Sequence, residues 1–345
     1  MGELIGHGAI RRELRAFAES GSPPHALMFS GPPGLGRTAL ALEYTALLSC
    51  EAEDTTASRP CGECRPCRLI GGRNHADLLI VGPGDAYCRP RSGDSGHEQH
   101  PNSRDIRICQ IRGIIEAVSR YPLEARFRSV IIEPAERLGR DAGHAILKTL
   151  EEPPEHTVLL LVTAAPEAIL ETIRSRCRII DVRPVGRKEL ETGLLARGVD
   201  PALAARAAAQ ARGRPAAALA FAANPEEMDV RERLLERCRR VATERRAADR
   251  LAYAEELAER WRRDRASVAP ELAAWESFWE DRLQAQAGSP EAARDALEAL
   301  TLLGRVREDL VTQVLVRPLF DSMLLGFPTV TLDSPLDQET ESADA

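Results

Sequence analysis

Hydrophobic positions in the front half of the chain fall into short unbroken runs that alternate with helix-spaced ones. Residues 26–30, 76–81, 129–132, 157–163 and 179–182 read as strands. The run 157–163 is apolar almost throughout, as in a parallel sheet covered on both faces. Between these runs, Ile10, Leu14 and Phe17, then residues 39–44, then Ile108, Ile111, Ile114, Ile115 and Val118, then residues 142–150 recur at helical spacing. From Gly186 the strand signals vanish. Residues 187–221 are alanine-rich and helical, with breaks at Asp200-Pro201 and Gly213-Arg214-Pro215. Asn224-Pro225 reads as a linker. Beyond it one apolar stripe uses Leu234, Leu235, Cys238, Val241, Leu251, Leu257 and Trp261, and a second uses Leu272, Trp275, Phe278 and Leu283. A third, over 290–322, uses Leu297, Leu300, Leu303, Val306, Leu310, Val314 and Leu315, and the three together predict a separate helical bundle. Two stretches lack periodicity: 82–104, read as a disordered or mobile insertion, and the acidic tail from Gly326.

The length of 345 residues allows two or three domains, and 43% hydrophobic with 29% charged residues is a soluble globular composition. Aromatics make up 4%, so the core must rest on Leu, Ala, Val and Ile. The first residues show no basic-then-apolar leader and no run is long enough for a membrane helix, so a cytoplasmic location without a membrane partner is expected. A net charge of −7 argues against nucleic-acid binding by bulk attraction, although a local basic face is compatible with it. Basic pairs such as Arg239-Arg240 and Arg262-Arg263 have acids nearby and read as solvated faces.

The candidate chemistry begins where the first strand meets its helix, at Gly31-Pro32-Pro33-Gly34-Leu35-Gly36-Arg37-Thr38. Strand, glycine-rich turn and helix is the setting of a P-loop, whose backbone N–H groups and helix N-terminus cradle phosphate. A P-loop has Lys where this chain has Arg37, a wide planar fork in place of a point charge. The turn therefore reads first as one that keeps its shape with weak or no ATP turnover. Conventional nucleotide binding and a mere Gly/Pro turn stand beside that reading. A P-loop ATPase also ends a later strand in acids that hold Mg²⁺ and activate water. Here that strand ends in Glu133-Pro134. Glu133 has the reach for a metal, and Pro134 has no group to polarise water. Glu136 reads as a solvated helix-start residue, and Thr163 as a polar strand end able to face the nucleotide site. His25 is a minor candidate for a nucleotide role and fits packing or loop better.

Cys50, Cys61, Cys64 and Cys67 form C-x10-C-x2-C-x2-C, which brings four thiolates to one tetrahedral centre and predicts structural zinc. An iron–sulfur cluster satisfies the same count, with nothing else pointing to redox work. His97 and His100 are weak candidates for a second metal, and Cys88, Cys109, Cys177 and Cys238 fit no site by spacing. Arg176, in Ser175-Arg176-Cys177, reads either as solvated or as an arginine supplied to a neighbour's phosphates.

The cysteine quartet, Lys148-Thr149-Leu150-Glu151-Glu152-Pro153-Pro154 and Ser175-Arg176-Cys177 together closely resemble the delta-prime family of bacterial DNA polymerase III clamp-loader subunits. The resemblance covers about 1–220; the remainder is similar in length and helical character only. It implies an α/β P-loop (AAA+) domain over 1–183 with an inserted zinc module at 50–67. A small helical lid would follow over 184–223, then an all-α collar domain over 226–325 and a tail over 326–345. It implies a ring with gamma/tau and delta subunits that loads a sliding clamp on primed DNA. In that family Arg176 would be the arginine finger reaching a neighbour's ATP. Gly31, Gly34, Gly36, Arg37, Thr38, Glu133 and Thr163 would form a degenerate site for ATP or ADP. The motor subunits carry a lid arginine that falls on Ala216 here, while Arg214 stands two residues early and points elsewhere. Arg37, Glu133-Pro134 and Ala216 favour a subunit that donates an arginine and hydrolyses nothing itself. The alternatives are an active gamma/tau-like motor and a generic zinc-containing DNA-binding protein.

Overall fold

The computed structural model describes residues 4–52, 59–84, 88, 100, 102–285, 290–311 and 315–330, with the side chains of 284, 285, 292 and 311 left out. The chain divides into two units, Met1–Ala223 and Asn224–Ala345.

In the first unit the apolar runs become β1 (Ala26–Ser30), β2 (Leu78–Val81), β3 (Arg128–Ile132), β4 (Thr157–Thr163) and β5 (Arg178–Asp181). They form one parallel sheet in the order β2-β3-β4-β1-β5. Helix α1 (Gly8–Glu19) precedes β1; the crossovers that parallel strands need are supplied by α2 (Arg37–Ser49), α3 (Arg65–Gly71), α4 (Ile108–Val118), α5 (Arg140–Glu151) and α6 (Glu171–Arg174). Alternate side chains of each strand serve opposite faces. Leu27, Phe29, Ile131, Val158 and Leu160 pack with Leu14, Leu40, Tyr44 and Ile70 of α1–α3. Met28, Val130, Ile132, Leu159 and Leu161 pack with Ile111, Ile114, Ile146 and Ile173 of α4–α6. Burial on two faces explains why β1, β3 and β4 carry no polar alternation.

A buried ion pair fixes the amino end of this sheet. Asp77 lies 3.0 Å from Arg128, and both are buried. The Asp77 carboxylate also accepts the backbone N–H groups of Leu123, Glu124 and Ala125. Arg128 donates to the carbonyls of Ala117, Arg120 and Tyr121. The pair thus ties the turn after α4 to two strands. Burial alone would raise the Asp77 carboxyl, but those three N–H groups and Arg128 hold it below its ordinary value.

Helices α7 (Arg187–Leu195), α8 (Pro201–Ala211) and α9 (Pro215–Ala223) complete the first unit. Asp200 caps α8 by accepting from Ala202 and Leu203 N–H. The lead-in before α1 lies against α7, where a Cβ on Gly193 would come 2.5 Å from Ile5.

The second unit contains α10 (Pro225–Thr243), α11 (Ala247–Arg263), α12 (Ala269–Ala285), α13 (Pro290–Val311) and α14 (Val316–Gly326). Asn224-Pro225, expected as a linker, is the N-cap and first residue of α10, since proline suits the first helical position. The core gathers Trp275, Phe278 and Trp279 around Phe327, with ring centroids of Trp275 and Phe327 4.9 Å apart. Two expectations are corrected here. Leu297 and Leu315 were assigned to the apolar stripe, yet they are 57% and 77% exposed. Leu297 faces away from the α13 side that buries Ala296, Ala299, Leu303 and Val306, and Leu315 precedes α14 as its N-cap. The tail does not begin at Gly326: Phe327 and Val330 are buried, and Val330 N–H donates to Ala242. Val314, the tail beyond Val330 and most of the 82–104 insertion lie outside the described residues.

Arg250 is buried between helix ends. It donates to Ala242 and Glu244 carbonyls at the end of α10, to Leu324 and Phe327 carbonyls at the end of α14, and to the Thr329 hydroxyl. These carbonyls lack intrahelical partners, and a planar five-donor fork serves both helix ends at once.

Candidate nucleotide and metal sites

The glycine-rich turn leaves the carboxyl end of β1 and enters α2 at Arg37. Gly34 and Gly36 take φ of 82° and 88°, a conformation that side chains resist. Gly31 is required for space, because a Cβ there would lie 2.2 Å from the Val182 carbonyl oxygen. The lead-in covers one side of the turn. A Cβ on Gly36 would meet Leu4 at 2.7 Å, and His7 Nε2 donates to the Leu35 carbonyl at 2.8 Å.

Arg214 covers another part of the turn. Its Cδ lies 3.2 Å from where a Cβ on Gly34 would stand. Sequence alignment placed this residue away from the site; the fold brings its stem onto the turn. Gly213 has φ 76° and sits against Pro184, where a Cβ would come within 2.5 Å. That close seat carries the next residue toward the turn, a contact no local pattern encodes.

Inside the turn, the Thr38 hydroxyl donates to the Glu133 carboxylate. Glu133 is anchored by its own N–H, which donates to the Val81 carbonyl at 3.0 Å. Glu136, expected to be solvated, turns inward. It accepts the Ala164 N–H at 3.3 Å, and its other oxygen is buried without a partner among the described residues. The short 3₁₀ turn Ala135–Arg137, packed under buried Ala135, aims it there. Arg37 Nη1 is likewise buried without a hydrogen-bond partner among the described residues. Burial lowers the Arg37 guanidinium below its ordinary value, with Glu136 and then Glu133 opposing, and it stays charged. Thr163 stands beside Ser30 in the sheet register, fully buried, and its hydroxyl accepts the Ala165 N–H at 3.1 Å. The turn therefore contains one cation facing two carboxylates, with its hydroxyl engaged by one of them. His25 lies outside this group, exposed at the amino end of β1, the far end from the turn.

Arg176 lies just after α6. It makes an ion pair with Glu151 at 2.6 Å and donates to the Thr172 carbonyl and the Ser175 hydroxyl. These partners are outside the glycine turn, and the Arg176 side chain is 35% exposed.

The four cysteines of the motif come together. Cys50 ends α2, Cys61 lies in the following turn, Cys64 is the N-cap of α3 and Cys67 lies in its first turn. Their sulfurs lie within 4.8 Å of one another. Four sulfurs at about 2.3 Å from one ion stand about 3.8 Å apart, so the set fits a single tetrahedral metal. Cys64 N–H donates to Cys61 Sγ at 3.3 Å. The Cys64 and Glu63 N–H groups lower the Cys61 thiol to about 6, whereas burial raises Cys67. Arg59 supports the cage by donating to the Cys50 carbonyl at 2.7 Å and the Leu47 carbonyl at 3.3 Å. Among the described residues no second cluster of this kind exists, His97 lies outside them, and His100 joins no such group.

Comparison with known proteins places this geometry in context. The family described as DNA polymerase III, delta subunit, matches residues 6–186, just over half of the chain. A delta' subunit of DNA polymerase III from Pseudomonas aeruginosa is 35% identical over 153 residues, which are 44% of this chain and 41% of that protein. The delta' subunit from Bacillus subtilis is 29% identical over 211 residues, 61% of this chain and 57% of that one. The tau subunit from Escherichia coli is 32% identical over 194 residues, 55% of this chain and 27% of that one. The chain thus spans well under two thirds of the length of these relatives. Among the described residues no helix is long and apolar enough to cross a membrane.

Proposed function

The chain belongs to the DNA polymerase III delta-subunit family, with delta' subunits among its relatives, and from that premise we propose that it is a non-motor, delta-prime-like subunit of the clamp loader. In this reading it joins gamma/tau and delta subunits in a ring that loads the sliding clamp on primed DNA. One observation carries the non-motor assignment: the Thr38 hydroxyl, which in a working P-loop holds Mg²⁺, is bonded to Glu133. Pro134 supplies no carboxylate to orient water. The turn keeps the shape of a phosphate cradle and lacks the parts for hydrolysis.

Arg176 is the residue we assign to chemistry. Donated in trans, its guanidinium stabilises charge on the phosphates of a neighbour's ATP. In the isolated chain Glu151 holds it, so assembly must exchange that ion pair for the neighbour's nucleotide. Cys50, Cys61, Cys64 and Cys67 hold structural zinc, whose role is to fix the α2–α3 connection; four thiolates leave no position for water.

The second reading, an active motor subunit, draws on the similarity to tau. Steady-state ATP hydrolysis by the isolated protein separates the two. The non-motor reading expects no turnover in the wild type. Measurable turnover, lost in Arg37→Ala, would establish the motor reading instead.

A further inference from the structure

Two of the four thiols that fit no site by spacing, Cys88 and Cys109, meet in the fold. Their sulfurs lie 3.5 Å apart across 21 positions of sequence. Cys109 is buried in the first turn of α4, and Cys88, in the 82–104 insertion, is half-buried. Among the described residues no third ligand joins them, which separates the pair from a metal cage. We propose that Cys88 and Cys109 form a reversible disulfide when the protein meets a hydroperoxide.

The step balances as follows. The Cys88 thiolate attacks one peroxide oxygen; the O–O bond breaks, and hydroxide leaves with a proton as water, giving a sulfenic acid. The Cys109 thiolate then attacks the Cys88 sulfur; S–S forms, S–O breaks, and hydroxide takes up the Cys109 proton as a second water. Two thiols are oxidised and the peroxide is reduced. Closing 3.5 Å to the covalent distance of about 2 Å is within reach of a side-chain rotation at half-buried Cys88. Burial, and then Cys109, hold the Cys88 thiol above its ordinary value against the His100 N–H, so Cys88 gives up its proton to water before it attacks the peroxide.

The bond would act next to the nucleotide-type site. Gln110, adjacent to Cys109, donates to the Gly82 carbonyl at 2.9 Å. Gly82 follows Val81, whose carbonyl accepts Glu133 N–H, and Glu133 accepts from Thr38. A disulfide would close a covalent ring from residue 88 to 109 anchored on that edge of the sheet.

The test treats the full-length protein with a small excess of hydrogen peroxide, blocks remaining thiols with N-ethylmaleimide, and maps the digest by mass spectrometry. A metallochromic dye follows zinc in the same samples. The expected product is a peptide pair joined through Cys88 and Cys109, lighter by two hydrogens than the separate peptides. It should be reversed by dithiothreitol, absent in Cys88→Ser, and formed without zinc release. Cys88 recovered as sulfinic acid with Cys109 still alkylated would overturn the proposal, as would Cys88 joined to a cysteine of the metal cluster.

Discussion

Arg37, Asp77 and Arg176 show how far single residues control this molecule. Arg37 differs from lysine in shape more than in charge, and the charges of Glu136 and Glu133 oppose the effect of burial on its guanidinium. We expect Arg37→Lys alone to give no ATP turnover, because Thr38 stays bonded to Glu133 and Pro134 still offers no base; a phosphate-release assay on the isolated variant checks this. Asp77→Ala should lower stability by about 3–5 kcal/mol, read by urea unfolding, because it strands Arg128 as a buried charge. The Asp77 carboxyl is depressed in the folded state. Its contribution is therefore complete above the unfolded value of about 3.9 and is lost as pH falls through the lower folded value. The unfolding free energy of the wild type should fall over that acid range more steeply than that of Asp77→Ala. At this scale the sequence made legible what is local: the glycine turn, its Arg37 and the cysteine spacing. Glu136, Arg214, the Arg176–Glu151 pair and the Cys88–Cys109 contact stayed hidden, because each depends on segments brought together by the sheet.

Strands and helices were easier to read than their ends. Residues 26–30 and 157–163 announced themselves as apolar runs, and the structure forms β1 and β4 over those same residues. Asn224-Pro225 stands where the two units divide, as expected, but the connection is only Asn224, because Pro225 is already the first residue of α10. Leu297 misled because a leucine-rich helix places some leucines on its outer side. Burial of Phe327 and Val330 is a tertiary fact with no periodic trace. Two predictions belong to elements. Arg250→Lys should fail to restore what Arg250→Ala loses, because one ammonium cannot serve the ends of both α10 and α14. Urea midpoints of the two variants, both below wild type, check it; a Lys variant equal to wild type would refute the two-ended cap. Chelation, or Cys64→Ser, should release one zinc per chain and lower the melting temperature, measured by dye binding and calorimetry.

For the molecule as a whole, the proposal is a subunit that contributes to a ring rather than turning over ATP by itself. The sequence carried this reading through the glycine turn and Ser175-Arg176-Cys177, while the pairing of Arg176 with Glu151 adds a requirement that sequence alone did not state. Glu151→Gln should release Arg176 and leave assembly unchanged by gel filtration. The most direct test is primed-DNA-dependent ATP hydrolysis by the clamp loader reconstituted with its cognate partners, using wild-type protein and Arg176→Ala. The account predicts a several-fold loss of rate with the ring intact. An unchanged rate in an intact ring would contradict it.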